Sequence, residues 1–150
     1  MGNVDSSSEI LEFAISKEVE SYHFYMAISR RVDTAKMREV FEELAAEELE
    51  HKAKLELEII KTGKVIPAQE EPQAGPDSDY IVDEDNALLD MDYRDMLLLA
   101  MEKEEASFRT YVNLVANACD EQTKEMLLAL AEEEVKHKLR FETEYDLLLK

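Results

Sequence analysis

A repeat at a fixed spacing constrains this sequence more than any other feature. Residues 44–51 (LAAEELEH) and 130–137 (LAEEEVKH) each place a glutamate three positions before a histidine. An offset of 86 residues aligns the two segments without gaps. A repeated segment implies a pseudo-two-fold axis, so we expect the residues it matches to meet in symmetric pairs. The same offset matches Lys17 with Lys103, Glu18 with Glu104 and Tyr25 with Tyr111.

Each copy of the repeat is predicted to be a pair of helices. Gly and Pro number only three each, and apolar residues recur at spacings of three and four, as in helices with one buried face. Helix starts are predicted at Ser6 (with the capping-box partner Glu9), at Asp33 or Thr34, at Asp90 or Asp92, and at Asp120. The helices are predicted to end near Val32, at Thr62 before Gly63, near Ala118 and almost at Lys150.

A segment of different composition joins the two helical hairpins, which span about 6–62 and about 91–149. All three prolines fall within residues 64–90, which predicts an irregular connection with a short helical turn near residues 85–89. About 25 extended residues reach up to ~80 Å, whereas a helix of about 25 residues is ~38 Å long. The connection, about 63–90, can therefore return along the whole bundle. We predict one all-α domain over residues 1–150, a four-helix bundle whose second and third helices are parallel.

The charge and composition exclude several classes of function. The net charge of −19 disfavours nucleic acid and anionic membrane surfaces and favours metal cations. The longest apolar run, residues 96–101, is too short to span a bilayer, and no signal-peptide pattern is visible. We therefore expect a cytoplasmic protein without a nucleic-acid or membrane partner. Because Cys119 is the only cysteine, no thiolate metal site can form within one chain.

Glutamate three positions before histidine is a weak signal by itself in so acidic a chain. Glu20 and His23 have this spacing, but the repeat aligns them with Ala106 and Arg109. We therefore interpret His23 as a surface residue. The repeated pairs differ, because they lie near the middle of their helices on apolar faces, where unpaired carboxylates would be costly.

Six repeated residues have the chemistry of a two-metal site. A glutamate and a histidine three residues apart lie on one helix face and can bind the same metal centre. Four glutamates carry a charge of −4, which two divalent ions would neutralise. A tyrosine seven residues after a glutamate returns to the same face and can donate a hydrogen bond to a ligand carboxylate, although core packing is the alternative for both tyrosines. The predicted ligands are Glu18, Glu48, His51, Glu104, Glu134 and His137, with Tyr25 and Tyr111 as candidate catalytic residues.

In this combination of residues the chain resembles the rubrerythrin-like branch of the ferritin-like di-iron carboxylate superfamily. The resemblance covers nearly the whole chain and implies a ferritin-like bundle with a non-haem di-iron site at mid-height. It also implies a homodimer. In the implied ligand set, Glu48 and Glu134 bridge the two metals, Glu18 and His51 complete one, and Glu104 and His137 complete the other.

The sequence departs from the family pattern in two places. Rubrerythrins with a rubredoxin-like domain bind a further iron through four cysteines, which Cys119 alone cannot do. We therefore expect the electron donor to be another protein. Rubrerythrins also carry a further glutamate three residues after the third-helix ligand, which exchanges with histidine at one iron as the redox state changes. This chain has Ser107 at that position. The resemblance therefore does not by itself imply chemistry that is specific for hydrogen peroxide.

Three functions remain open from the sequence. In the leading one, two ferrous ions reduce dioxygen or hydrogen peroxide, as in a rubrerythrin-like oxidase or peroxidase that defends against oxidative stress. Manganese is the alternative metal, because histidine and carboxylate ligands suit both. In the second, the site binds and oxidises iron for storage or transfer without peroxidase turnover. In the third, the bundle is a metal-free structural or partner-binding protein, and replacing Glu48 and His51 by alanine hardly changes its metal content.

Overall fold

Four α-helices make up the part of the chain that the structure describes. The structure is a computed structural model, and it describes residues 3–61 and 92–150. The predicted connection at 63–90, with its short helical turn, lies outside these ranges. Within them there is no strand, which confirms the all-α prediction, and none of their helices is both long and apolar enough to cross a membrane. The helices are α1 (Asn3–Ser29), α2 (Ala35–Lys61), α3 (Tyr93–Asn117) and α4 (Glu121–Leu148).

Three helix starts are capped by side chains that the sequence predicted. Thr34, Asp92 and Asp120 each accept a hydrogen bond from the backbone N–H three residues later, at 3.1, 2.9 and 3.3 Å. Such bonds satisfy N–H groups that the first turn of a helix leaves unpaired. The starts of α2, α3 and α4 are therefore determined by local sequence.

Both ends of α1 differ from the prediction. The helix begins at Asn3, so Ser6 lies inside it and is not its N-cap. It ends at Ser29 rather than near Val32, because the N–H of Arg31 bonds at 2.8 Å to the carbonyl three residues earlier and tightens the last turn. Val32 is nevertheless buried in the following loop. Its apolar side chain therefore extended the apparent helical pattern beyond the helix.

The helices pair as two antiparallel hairpins, α1 with α2 and α3 with α4. One core cluster contains residues from the end of α1, the start of α2, the start of α3 and the end of α4. A second cluster contains the opposite ends. It follows that α2 and α3 run parallel, as predicted, while α1 also contacts α3 and α2 also contacts α4.

A buried polar layer lies between the two apolar clusters. On one side, the rings of Phe41 and Phe141 stack with centroids 5.6 Å apart, and on the other side Leu55 and Leu127 are fully buried. Burying a large apolar side chain contributes about 1.5–3 kcal/mol. The two clusters therefore offset the cost of placing several ionisable side chains in the middle of the bundle.

Candidate metal centre

All four helices contribute ionisable side chains to the polar layer. Each hairpin supplies one glutamate from its first helix and a glutamate and a histidine, three positions apart, from its second. All six side chains are only 0% to 4% exposed. The i, i+3 spacing turns the glutamate and the histidine of α2, and those of α4, to the same inner face. The six residues are Glu18, Glu48, His51, Glu104, Glu134 and His137.

The six side chains form two overlapping groups of four. In each group, the potential ligand atoms lie within 4.8 Å of one another. Glu48 and Glu134 belong to both groups and are called the shared glutamates below. The structure therefore brings together every residue that the sequence predicted as a ligand, and their role as ligands stays a prediction. One group adds Glu18 and His51 to the shared glutamates, and the other adds Glu104 and His137.

The Nδ1 atoms of both histidines face the carboxylates. His51 Nδ1 lies 3.2 Å from Glu18 Oε1, and 3.3 and 3.5 Å from Oε1 of the two shared glutamates. His137 Nδ1 lies 3.1 Å from Glu104 Oε1, and 3.7 and 3.8 Å from the same two atoms. The imidazole rings are stacked at 5.6 Å with only 7° between their planes. The pseudo-two-fold arrangement predicted from the repeat is present in this geometry.

Two tyrosines connect the hairpins across the centre. The hydroxyl of Tyr25 donates to Glu104 Oε2, and the hydroxyl of Tyr111 donates to Glu18 Oε2. Burial, reinforced by the charge of the accepting glutamate, raises the pKa of both phenols well above their ordinary value. The phenols therefore remain protonated donors. The predicted hydrogen bonds to carboxylates are confirmed, and each one reaches the opposite hairpin.

The shared glutamates have no hydrogen-bond partner in residues 3–61 and 92–150. Among the described residues, neither oxygen of Glu48 or of Glu134 has a donor in bonding geometry, although His51 Nδ1 lies only 3.3 Å from Glu48 Oε1. Burial, followed by the charge of Glu18, raises the pKa of Glu48 to about 8. Burial, followed by the charge of Glu48, raises the pKa of Glu134 well above its ordinary value. Buried acceptors without partners are costly, so these four oxygens fit a centre that binds cations.

The histidines respond to the same negative charge. Burial by itself would lower the pKa of both imidazoles. The close approach of the carboxylates of Glu134, Glu18 and Glu48 to the ring outweighs burial and raises the pKa of His51 to about 12. Hydrogen bonding to Glu104 is the main opposing effect for His137, whose pKa rises to about 9. Without metal, the cluster therefore holds protons, which a bound cation would have to displace.

The outer ring nitrogens break the symmetry. His137 Nε2 lies 2.9 Å from Glu47 Oε1. The repeat matches Glu47 with Glu133, but Glu133 contacts Lys136 Nζ at 3.0 Å. The first hairpin cannot form an equivalent of the Glu133–Lys136 ion pair, because Glu50 occupies the position of Lys136. Sequence reasoning missed Glu47 as part of the centre, and its position next to a predicted ligand was the only available signal.

Glu20 and His23, which have the same spacing, lie outside the two four-residue groups. Glu20 is 3.6 Å from Lys17 Nζ. His23 is half-buried, with its ring edge-on to Tyr22 at 5.2 Å, and burial lowers its pKa. Its interpretation as a surface residue was therefore only partly right, because neighbouring side chains cover part of the ring. The spacing alone does not identify a ligand pair in this chain.

Comparison with known proteins gives the same architecture. The family model described as Rubrerythrin matches residues 9–145. Among solved structures, a hypothetical protein from Pyrococcus furiosus is 26% identical, with a TM-score of 0.66 over 95% of this chain and 90% of that chain. Two crystal structures of KatB, a manganese catalase from Anabaena, are each 21% identical, with a TM-score of 0.71 over 100% of this chain and 76% of that chain. No curated protein matches the chain. The ferritin-like fold that the sequence predicted is confirmed.

Proposed function

The chain belongs to the rubrerythrin family, and we propose that its polar layer binds two iron ions and uses them for redox chemistry with dioxygen or hydrogen peroxide. This activity would serve defence against oxidative stress. Manganese is the alternative metal, because imidazole and carboxylate donors suit both. The proposed ligands are Glu18 and His51 for one ion and Glu104 and His137 for the other, with Glu48 and Glu134 bridging both.

The proposal is carried by the four oxygens of the shared glutamates, which have no hydrogen-bond partner in the described part of the chain. They lie where the two four-residue groups overlap, which is where ligands that bridge two ions have to be. Two divalent ions would balance the four glutamates and would remove the need for the protons that now reside on the histidines. A metal-free structural bundle would gain nothing from burying these carboxylates.

The residues around the proposed ligands control their orientation. The bound metal ions would supply the electrons for reduction of the oxidant. Tyr111 holds Oε2 of Glu18, which leaves Oε1 beside His51, and Tyr25 does the same for Glu104. Glu47 contacts Nε2 of His137, the ring nitrogen other than the one beside Glu104, and so holds the imidazole in place. These contacts thus orient Glu18, Glu104 and His137 before metal binds.

A second function uses the same centre for iron binding and oxidation in storage or transfer, without peroxidase turnover. Ser107 favours it, because rubrerythrins carry a further glutamate at this position. For the oxidase or peroxidase function, we propose that a separate protein supplies electrons. We also propose a homodimer, which the molecular mass in size-exclusion chromatography tests.

Metal content tests the proposed centre. We expect protein loaded with ferrous ions in the absence of oxygen to retain two ions per chain after desalting. Replacing Glu48 and His51 together by alanine should remove both ions. The matched control replaces Glu20 and His23, which have the same spacing outside the centre, and should retain both. If the Glu48 and His51 double variant kept two ions, the proposed ligand set would be wrong.

Oxidation kinetics separate the two functions. Loaded protein is mixed with dioxygen or hydrogen peroxide in the presence of excess chemical reductant. An oxidase or peroxidase consumes oxidant over many cycles, whereas a storage or transfer protein oxidises its iron once. Oxidation no faster than that of free ferrous ions would contradict both.

A further inference from the structure

We propose that divalent cations reach the metal centre through a pocket on the outer face of α3 and α4. The proposal rests on the metal-binding function proposed above and names the side from which the centre is loaded. The pocket has a volume of about 220 Å³. At ~30 Å³ per water molecule, it has room for about seven waters, comparable to a divalent ion with a hydration shell of about six.

Two residues of the centre form the floor of this pocket. Glu104 and Glu134 both line it, and both are fully buried. Neither oxygen of Glu134 has a hydrogen-bond partner among the described residues. A cation in the pocket would therefore lie beside two of the proposed ligand residues.

The rim of the pocket selects for positive charge. Glu105 and Glu142 add two carboxylates, and Lys138 Nζ lies 3.2 Å from Glu105 Oε1 and joins α4 to α3. Arg109 also contacts Glu105, at 3.2 Å, so rim and floor together place four carboxyl groups against two cationic side chains. The resulting potential concentrates cations and repels anions.

The matching face of the first hairpin has a different rim. The repeat places Val19 at the position of Glu105, so the ion pair that joins the two helices of the second hairpin has no equivalent there. The counterpart of Lys138 is Lys52, which contacts Glu56 on its own helix at 3.0 Å. The centre is symmetric inside, but the two hairpins differ on the outside. The second hairpin presents an acidic rim in which Lys138 joins α4 to α3.

A side chain that fills the pocket tests this route. Leu139 lines the pocket and is 55% exposed, so Leu139→Trp can fill the opening without disturbing the core. Its matched control is Ala53→Trp at the equivalent exposed position of the first hairpin. The rate of cobalt(II) binding is measured by stopped-flow absorbance, and the final stoichiometry by metal analysis. Size-exclusion chromatography checks that both variants have the same molecular mass as the wild type. We expect Leu139→Trp to slow binding about fivefold or more at unchanged stoichiometry, and Ala53→Trp to bind as fast as the wild type.

Removing one rim charge gives a second test that leaves the shape intact. Glu142→Gln should slow cobalt binding about two- to threefold at low ionic strength, and the difference should vanish at high salt. Glu56→Gln is the matched control on the first hairpin and should have a smaller effect, because Lys52 already neutralises Glu56.

The outcomes separate this route from the proposed function. If the wild type binds two cobalt ions and Leu139→Trp and Glu142→Gln bind them equally fast, the route is wrong and the metal centre stands. Slower binding in Ala53→Trp than in Leu139→Trp would also overturn the route. Wild-type protein that binds no cobalt would overturn the metal centre and the route with it.

Discussion

The two hairpins make matching contacts inside the bundle and different contacts on its outside. Inside, each histidine faces the first glutamate of its own hairpin, at 3.2 and 3.1 Å, and each tyrosine donates to a glutamate of the other hairpin. Outside, Glu47 contacts a ring nitrogen, whereas its counterpart Glu133 contacts a lysine. The acidic rim, bridged by Lys138, belongs to the second hairpin.

This difference separates what the centre requires from what each hairpin adds. Two metal ions in equivalent positions need the same donors in the same directions, so the interior tolerates little divergence between the copies. Solvated outer positions are not constrained in this way. We infer that the exterior contacts determine how each half is reached and tuned, and that the interior contacts determine whether metal binds.

Replacing a shared glutamate by its neutral isostere tests the interior with the largest expected effect. We expect Glu48→Gln and Glu134→Gln each to lose one or both metal ions, measured by metal analysis. Each should also raise the free energy of unfolding of the metal-free protein by about 1–4 kcal/mol, because a buried ionisable group is removed. Denaturant unfolding at neutral pH measures this gain. A loss of stability in both variants would show that these carboxylates support the fold rather than a cation.

Removing the two tyrosine hydroxyls tests whether the interior is symmetric in energy as well as in geometry. Tyr25→Phe and Tyr111→Phe each leave one glutamate oxygen without its donor. We expect each to weaken metal binding about 10- to 100-fold, by similar factors, in competition with a chelator. Markedly unequal effects would mean that the two metal positions differ despite their matching contacts.

The outer carboxylates should behave unequally. Glu47→Gln removes the negative partner of His137 Nε2, and we expect it to weaken metal binding by about tenfold. Glu133→Gln is its repeat counterpart and should change the affinity by less than about twofold, because Glu133 is bound to Lys136 on an exposed face. Equal losses from both variants would show that the outer contacts of the two hairpins are equivalent in energy.

Sequence alone could predict the helices and the six side chains that meet in the centre, because both depend on short spacings. A cap such as Asp92 acts three residues away, and Glu48 with His51 is defined by one helical turn. The repeat then separated these residues from Glu20 and His23, which local spacing could not do. The end of α1 was misjudged because Val32 is buried in a loop, and burial by itself does not reveal helical backbone.

The exterior of the centre could not be predicted because its contacts cross between helices. Glu47 and Glu105 are two of 36 acidic residues, and nothing in their local sequence distinguishes them from solvated carboxylates. Their partners, His137 and Lys138, lie on α4, 90 and 33 residues further along the chain. Only the packing of the four helices brings these side chains together.

The two histidines should also titrate differently, and this is the smallest of the expected differences between the hairpins. Without metal, the folded-state pKa is about 9 for His137 and about 12 for His51, both above the ordinary value of about 6.5. A raised folded-state pKa contributes stability that is complete below the unfolded-state pKa and is lost as the pH rises through the folded-state value. Glu48, with a folded-state pKa of about 8, acts in the same direction. We therefore expect the melting temperature of the metal-free protein to fall by several degrees between about pH 6 and about pH 9.

In NMR titration, His137 should lose its proton in this window while His51 remains charged. Because Glu47 helps to raise the pKa of His137, Glu47→Gln should move only the His137 transition to lower pH, and a shift of both rings would contradict the assignment of that contact.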